Sequence, residues 1–362
     1  MRSGSPPHLL RGRLRLGQTL DLVGARACPL LTGPDGRHSS SPVNRYGDGR
    51  GAPTAAGRMI EATKTFTCLG GACTVAVAGE GPAGAPEDAV IAARDHLLAW
   101  HERFSRFEPT SELMSLNADP LERVRVSPMM ARFVQAAVDA AIATGGLVDP
   151  TLLGEIEDAG YRDDRFRGTM ALPLALALGP PRQPAGPHPA ARWREIEVDV
   201  PGCLVTRPPG VRLDGGGIVK GLFADALGEM LSEHDSISID CEGDMRVGGA
   251  QGRERVAEVA SPFGGPALHE LRLSDGAVST TGISKRSWLD GGRPAHHLLD
   301  PATGRPAYTG VVEVTALAPT ALEGEALAKA ALLSGPDDAR GWLRHGGVIV
   351  FDDASHVLVE PS

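Results

Sequence analysis

The segment 276–306 concentrates residues that could do chemistry. Two adjacent histidines, His296 and His297, precede the pre-proline aspartate Asp300, and the run Ser279-Thr280-Thr281-Gly282 offers hydroxyl groups and an open backbone. Imidazole can exchange a proton near neutral pH, and hydroxyl and backbone amide groups suit contacts to phosphate or carbonyl oxygens. Because these unlike signals coincide, the sequence favours a functional site here over a β-hairpin with a decorated loop.

The glycine-rich stretch 213–221, LDGGGIVKG, is a second candidate. Asp214 ends a predicted strand, and the glycines after it open a predicted helix whose first backbone amides could bind phosphate. The stretch lacks the P-loop pattern G-x-x-x-x-G-K-S/T, and no ribose-binding acid follows it as in a dinucleotide-binding βαβ unit. A purely structural strand-to-helix turn is the commoner meaning of such glycines, so both interpretations stay open at this point.

A third candidate is Leu147-Val148-Asp149-Pro150, which follows a strongly signalled helix. Ser127 is a predicted N-cap, Pro128 occupies the first turn, and Gly145-Gly146 ends the helix. Pro150 restricts Asp149 to an extended backbone. The sequence therefore predicts a carboxylate held in a fixed position directly after a helix.

The remaining elements must position these candidates. An amphipathic helix is predicted over 87–103, before the run Phe104-Ser105-Arg106-Phe107. A strand is predicted over 65–77, where the pair Gly70-Gly71 indicates a bulge or a close backbone approach. Further strands are predicted at 236–246 and 311–318, with a helix after the latter.

Four separated motifs resemble, in order, those of the FAD:protein FMN transferases, the ApbE-like flavin transferases. They are FSRF with a later S, L and N, then LVDPT, then DGGGIVKG, and finally STTG followed by HLLDPATGRP. The resemblance runs from about Thr65 to Val359. It implies a single α+β domain, related to the T-fold, with mixed or antiparallel sheets and flanking helices. It also implies transfer of FMN from FAD to a Thr or Ser hydroxyl of a target protein, with magnesium and release of AMP.

The resemblance also implies roles for individual residues. His297, or a nearby acid, would assist the attacking hydroxyl. The positions implied to contact FAD are Leu69 (in place of a family Met), Phe107, Leu147, Val148, Asp149, Asp214, Lys220, Thr281 and Leu299. The positions implied at the metal are Gly217, Glu325 and Lys329.

The implied metal site departs from the family pattern. Glu325 stands where the family has a magnesium-binding Asp, and Lys329 stands where it has a Thr. A protonated lysine has no lone pair to offer a metal, and its i,i+4 spacing from Glu325 predicts a direct pair beside the pocket. Asp240 and Glu242 replace a neutral Asn and Gly and make the pocket more acidic. These departures leave an alternative function open, a flavin-binding carrier or regulator that has lost transfer.

Residues 1–60 differ in composition from the rest of the chain. They contain nine arginines and three aspartates, a net charge of about +6. Because the whole chain carries −9, the remaining residues carry about −15. We expect this Gly-, Pro- and Ser-rich extension to be disordered, or to precede a true start at Met59. The expected transferase domain covers 61–362, with a Pro- and Gly-rich surface insertion over 167–192 that carries no chemistry.

Composition also limits location and partners. An acidic body argues against nucleic acid as a partner, and no apolar run is long enough to span a membrane. The sequence shows neither a signal peptide nor a lipid-attachment site, which favours a cytoplasmic protein. Five cysteines without a C-x-x-C pair indicate buried free thiols in a reducing compartment.

Overall fold

The computed structural model describes residues 60–162 and 170–362. The predictions for residues 1–59 and for 167–169 lie outside these ranges. The helices are α1 Pro86–Phe104, α2 Glu112–Ala118, α3 Pro128–Ala143, α4 Leu153–Asp158, α5 Leu172–Leu178, α6 Val219–Met230, α7 Ala321–Ser334 and α8 Ala339–Trp342. The strands are β1 Glu61–Cys68, β2 Gly71–Ala78, β3 Arg123–Arg125, β4 Glu197–Asp199, β5 Leu204–Thr206, β6 Ser236–Cys241, β7 Asp244–Gly248, β8 Arg255–Val259, β9 His269–Leu273, β10 Gly276–Gly282, β11 Ser287–Asp290, β12 Arg293–His296, β13 Leu299–Asp300, β14 Arg305–Pro306, β15 Val311–Ala318, β16 Gly347–Phe351 and β17 His356–Val359.

An eight-stranded sheet in the order β1-β2-β6-β7-β10-β15-β16-β17 forms the centre of the fold. Each neighbouring pair in it is antiparallel. The predicted α+β class is therefore confirmed, in its antiparallel rather than its mixed form. A three-stranded sheet, β3-β5-β4, and three hairpins surround this centre.

Two tight turns lie at the same end of the central sheet. The glycine pair predicted to interrupt a strand instead joins β1 to β2 through the turn Leu69-Gly70, with φ values of 55° and 84°. The turn Glu242-Gly243, with φ values of 56° and 95°, joins β6 to β7. Two successive residues with positive φ are typical of hairpin turns that follow the strand twist. Because Cys73 pairs with Cys241, the two turns are neighbours.

The helices α1, α6 and α7 cover one face of the sheet, with α6 beside α7. Helices α6 and α7 cross closely at Gly221, where an added Cβ would lie 2.5 Å from the carbonyl oxygen of Ala321. Asp225 of α6 then caps α7, because its two carboxylate oxygens accept the amides of Ala321 and Leu322, both at 2.9 Å. The crossing and the cap fix the position of α7 against α6.

The predicted helices and caps before the site are also present. α1 matches the amphipathic pattern, and the hydroxyls of Ser111 and Ser127 cap α2 and α3. The predicted irregular course of residues 170–192 is interrupted by α5, and the segment is tied back to the fold where the amide of Gly186 donates to Asp300 Oδ1 at 2.9 Å. No helix in the described part of the chain is both long and apolar enough to cross a membrane.

Candidate functional site

The candidate site lies where the two hairpin turns, the start of α6 and the middle of α7 meet. Six charged side chains gather there, and we call them the charged cluster: Lys220, Glu242, Asp244, Arg286, Glu325 and Lys329. Three are basic and three are acidic, so the cluster is close to neutral when all six are ionised. Its members come from α6, α7, the β6–β7 hairpin and the segment after β10, so the central sheet must form before they can meet.

Lys220 ties the start of α6 to the β6–β7 hairpin. Its Nζ lies 2.7 Å from Asp244 Oδ2 and 3.6 Å from Glu242 Oε2, and it donates to the Glu242 carbonyl at 3.2 Å. Burial alone would lower the pKa of Lys220, but Asp244, Glu242 and Glu325 raise it above its usual range. Lys220 therefore stays protonated and is a permanent positive charge in the site.

Arg286 links the two hairpin turns. Its Nη2 donates to the carbonyl of Leu69 at 3.1 Å and to Glu242 Oε2 at 2.8 Å. Burial acts to raise the pKa of Glu242, but Lys220 and Arg286 outweigh it and lower that pKa below its ordinary value. Glu242, the acidic replacement noted in the sequence, is therefore ionised and lies within the charged cluster.

Glu325 and Lys329 form the predicted i,i+4 pair on α7, and the pair is buried. Lys329 Nζ donates to Glu325 Oε1 at 2.8 Å, and the side chains are only 7% and 1% exposed. The second oxygen, Oε2, accepts the backbone amide of Gly221 at 2.8 Å. Burial raises the pKa of Glu325, and the adjacent ammonium opposes that effect.

These side chains do not fit a magnesium ion as they are arranged. Magnesium requires near-octahedral oxygen coordination at about 2.1 Å, but Oε1 of Glu325 already accepts the Lys329 ammonium, which would repel the ion. Lys329 offers no lone pair. Within residues 60–162 and 170–362, no group of three or more His, Cys, Asp or Glu side chains could hold a metal ion. Gly217, the third implied position, lies next to Val148 at the start of α6.

His297 lies beside the charged cluster, and its amide donates to the Arg286 carbonyl at 3.3 Å. Burial, followed by the positive charges of Arg286, Lys329 and Lys220 together with His296, lowers the pKa of His297 well below its ordinary value. The ring is therefore neutral near pH 7. The residue is partly exposed, and its buried Nδ1 has no hydrogen-bond partner among the described residues.

His296 does not share this environment, although it is adjacent in sequence. Its side chain is 1% exposed and packs against Tyr308, with ring centroids 4.9 Å apart. Burial lowers the pKa of His296 to about 3. His296 is therefore a core residue, whereas His297 lies in the candidate site.

The loops that carry Asp149 and Asp214 are joined, because the amide of Asp214 donates to the carbonyl of Pro150 at 2.9 Å. Asp149 Oδ1 accepts the amide and the hydroxyl of Thr151 at 2.8 and 2.6 Å. Its buried Oδ2 has no hydrogen-bond partner in the part of the chain described, and burial raises the pKa of Asp149. Asp214 Oδ2 accepts the amide of Gly216 at 3.1 Å, which shapes the glycine turn before α6.

Asn117 holds the strand end that carries Asp214. Its Nδ2 donates to the carbonyl of Leu213 at 2.8 Å, and its Oδ1 accepts the amide of Leu213 at 2.7 Å. A side-chain amide can satisfy both backbone groups of one residue in this way. The Asn of the first motif therefore has a positioning role.

An aromatic cluster lies next to Asp214 and consists of Phe107, Tyr161 and Trp288. The Tyr161 and Trp288 rings stack at 5.4 Å with an interplanar angle of 28°, and Phe107 meets Tyr161 edge-on at 5.5 Å. The guanidinium carbon of Arg106 lies 4.3 and 4.4 Å from the centroids of Phe107 and Tyr161, and its Nε lies 3.4 Å from Asp214 Oδ1. All three rings are partly exposed.

The other implied contacts are apolar or lie deeper in the fold. Leu147 is partly buried, whereas Val148 and Thr281 are each 6% exposed. Leu299 packs on Leu153 in a small cluster that also touches Tyr161. The structure thus brings Leu69, Lys220 and His297 to the charged cluster, and Phe107, Asp149 and Asp214 to the aromatic side.

Sequence reasoning gave no role to Arg106, Arg286, Trp288 or Asp244, although each makes a contact within the site. Long side chains find partners far away in sequence, which no local pattern reveals. Arg106 had one available signal, because it stands between Ser105 and Phe107 in a motif that was otherwise assigned to the site.

Comparison with known proteins gives consistent results. The model of the ApbE family matches residues 69–351. A FAD:protein FMN transferase of Treponema pallidum (strain Nichols) is 28% identical over 305 residues, covering 79% of this chain and 82% of the relative. The FAD:protein FMN transferase of Rhodobacter capsulatus is 28% identical over 290 residues, covering 77% of this chain but 52% of the relative.

Solved structures share the fold. The crystal structure of the ApbE protein of Thermotoga maritima superposes with a TM-score of 0.67 at 24% identity, covering 83% of this chain and 97% of that one. The apo flavinyl transferase ApbE of Pseudomonas stutzeri gives 0.63 at 18% identity, covering 84% and 95%.

Proposed function

Because the chain belongs to the ApbE family, we propose that it is a FAD:protein FMN transferase, which moves FMN from FAD to a hydroxyl group of an acceptor protein. The curated relatives that match most of this chain carry that name. One structural observation carries the proposal: the Asp149 and Asp214 loops converge beside a glycine turn that opens α6, with the neutral His297 and fixed cations close by.

The site has the features that a flavin dinucleotide requires. Amides at the glycine-opened start of α6 suit the dianionic pyrophosphate, and the aromatic cluster suits stacking with a flavin or adenine ring. Asp149 Oδ2 is an acceptor and Arg106 Nη2 is a donor, and both are buried without a hydrogen-bond partner among the described residues. Buried polar atoms are costly to leave unpaired, so their presence in this site supports a polar ligand.

The proposed reaction is a substitution at phosphorus. The acceptor hydroxyl oxygen attacks the phosphorus of the FMN half of FAD and forms a phosphoester, while the bridging P–O bond breaks and its electrons leave with AMP. The hydroxyl proton passes to a base and then to the phosphate of the departing AMP. Lys220 and Arg286 stabilise the negative charge that develops on the phosphoryl oxygens.

His297 is the proposed base, since its neutral ring retains a lone pair near pH 7. Burial and three nearby cations lower the pKa of His297, so its imidazole is a weak base in the free enzyme. A bound pyrophosphate would offset the charges of Arg286, Lys329 and Lys220 and so raise that pKa toward neutrality. On this proposal, the base reaches its useful strength only when the donor is bound.

The finer assignments rest on different grounds. FAD as the donor follows from the names of the relatives, and a Thr or Ser acceptor is part of our proposal, as is a cytoplasmic location. Magnesium is not part of the proposal, because the Lys329 ammonium already lies on Oε1 of Glu325 and would repel the ion. A transfer-deficient flavin carrier is not favoured, since the named relatives are transferases and His297 is available in the site.

The test is to incubate the protein with FAD and a library of synthetic peptides that each contain one Thr or Ser. We expect the mass of FMN to be added to a subset of peptides, with equimolar AMP. His297→Asn should abolish transfer while FAD still binds. Asp214→Ala should weaken FAD binding by about tenfold or more, about 1.4 kcal/mol.

The matched control is His356→Asn, which changes an exposed histidine of the edge strand β17 and should leave both measurements unchanged. Absence of FAD binding by the wild-type protein would refute the proposal, and so would transfer that His297→Asn leaves intact.

A further inference from the structure

We infer that the Lys329 ammonium takes the place of a divalent ion in this protein, so that FAD binds without any divalent cation. The inference rests on the proposed function, because it concerns the ligand assigned there. Its starting point is the buried Lys329–Glu325 pair, which the family resemblance places at a metal position.

The carboxylate that would ligate a metal already holds a cation. Oε1 of Glu325 accepts Lys329 Nζ and Oε2 accepts the Gly221 amide, both at 2.8 Å. Each oxygen keeps a second lone pair, but a metal ion on Oε1 would share that oxygen with the Lys329 ammonium and be repelled by it. An ammonium pushed away by the ion would lose its carboxylate partner in a place where only 1% of the Glu325 side chain reaches solvent.

The fold also fixes the position of the amide that Glu325 accepts. The α6–α7 contact at Gly221 has no room for even a Cβ, and Asp225 holds the first amides of α7. The distance between the Gly221 amide and the Glu325 carboxylate is therefore set by two packed helices. A Glu325 rotamer that turned away toward a metal would leave the buried Gly221 amide without its acceptor.

The charged cluster is already balanced without a metal ion. Each of its three cations is paired with a carboxylate: Lys220 with Asp244, Arg286 with Glu242 and Lys329 with Glu325. A dication that joined the cluster would therefore add positive charge that no further member of the cluster neutralises.

Lys329 also has donors to spare. An ammonium has three N–H groups, and the described residues accept one of them, through Glu325. The remaining two can reach phosphate oxygens, as lysine does at other phosphate sites. Glu325 thus orients the ammonium and accepts only one of its three N–H groups.

The experiment compares FAD binding, followed by flavin fluorescence, in excess EDTA and in excess MgCl2. We expect the wild-type Kd to agree within about twofold between the two conditions. In the absence of flavin, MgCl2 should leave the thermal midpoint unchanged. The double variant Glu325→Asp/Lys329→Thr restores oxygen ligands, so its FAD affinity should fall at least tenfold in EDTA and recover with MgCl2.

A second variant, Glu325→Gln/Lys329→Met, removes both charges without leaving one of them buried alone. It should bind FAD more weakly in both conditions, since neither an ammonium nor a metal is then present. The matched control is Arg344→Thr, which breaks an exposed pair with Glu323 of the same helix and should alter nothing.

Two results would overturn the inference. One is wild-type FAD binding that disappears in EDTA and returns with MgCl2, which leaves the proposed function in place. The other is unchanged FAD affinity in Glu325→Gln/Lys329→Met, which would make the pair purely structural. Failure of the wild-type protein to bind FAD in either condition would instead remove the proposed function itself.

Discussion

Replacing Gly221 with alanine tests how the crossing of α6 and α7 positions the site. The added Cβ would lie 2.5 Å from the Ala321 carbonyl oxygen and 2.7 Å from Leu322 Cα. Both are backbone atoms, so no side-chain rotation can relieve the contact. The two helices must therefore separate, which also lengthens the hydrogen bond from the Gly221 amide to Glu325.

The expected loss of stability combines three contributions. Helix propensity favours alanine over glycine by about 1 kcal/mol. Overpacking costs about 1–3 kcal/mol, and a weakened hydrogen bond to a buried carboxylate costs about 1.5–3 kcal/mol. We expect a net loss of about 2–4 kcal/mol in the free energy of unfolding, and a drop of about 5–10 °C in the thermal midpoint.

Urea denaturation measures this difference, with Gly341→Ala as the matched control. Gly341 lies in helix α8 and has open space where a Cβ would be placed, so its replacement should cost nothing. FAD affinity should fall in Gly221→Ala and not in Gly341→Ala. Equal stability of the two variants would refute the argument that the close crossing holds the pair on α7.

Three further expectations follow from single contacts. Burial raises the pKa of Glu313 to about 7, so the folded protein favours the protonated carboxyl. The free energy of unfolding should therefore fall as pH rises from about 4.5 to about 7, and Glu313→Gln should gain up to about 3 kcal/mol relative to wild type across that window. A constant difference in unfolding free energy between pH 4 and pH 8 would contradict this. Asp225→Asn keeps one acceptor for two amides of α7 and should cost about 2 kcal/mol; calorimetry that shows no loss would disprove the cap. Arg106→Lys keeps the charge but loses the planar stack on Phe107 and Tyr161, so unfolding free energy should fall by about 1 kcal/mol, and an unchanged urea midpoint would show that charge alone matters.

Sequence patterns predicted those parts of the site that depend on local chain direction. Pro150 and the glycines after Asp214 act within a few residues, so the two aspartate loops could be placed as rigid, ligand-facing segments. The i,i+4 spacing likewise predicted the Glu325–Lys329 pair. Each of these inferences needs only the backbone geometry of one element.

The predictions that failed or fell short depend on contacts between distant elements. The pair Gly70-Gly71 was expected to mark a bulge or a close backbone approach. The close approach is present, because a Cβ at Gly71 would lie 2.3 Å from Glu242 Cγ, but the segment is a hairpin turn rather than a bulge, and strand pairing is a tertiary property. The pattern assigned no contact to Gly221, whose close approach is to a helix a hundred residues later in the chain. Arg286 reaches Leu69 across 217 residues, a distance that no periodicity can report.

The Asn117–Leu213 clamp has a consequence for how the protein is made. The two residues are 96 positions apart, so Asn117 leaves the ribosome long before its backbone partner Leu213 does. The edge of β2 that pairs with β6 stays unpaired for even longer, until β6 has been synthesised. The nascent chain therefore carries an unpaired sheet edge until β6 emerges, and an Asn117 side chain without its native partner until Leu213 emerges. The ligand pocket closes only after the last third of the chain emerges, so a prematurely terminated product would be a substrate for chaperones and proteases rather than a smaller working enzyme.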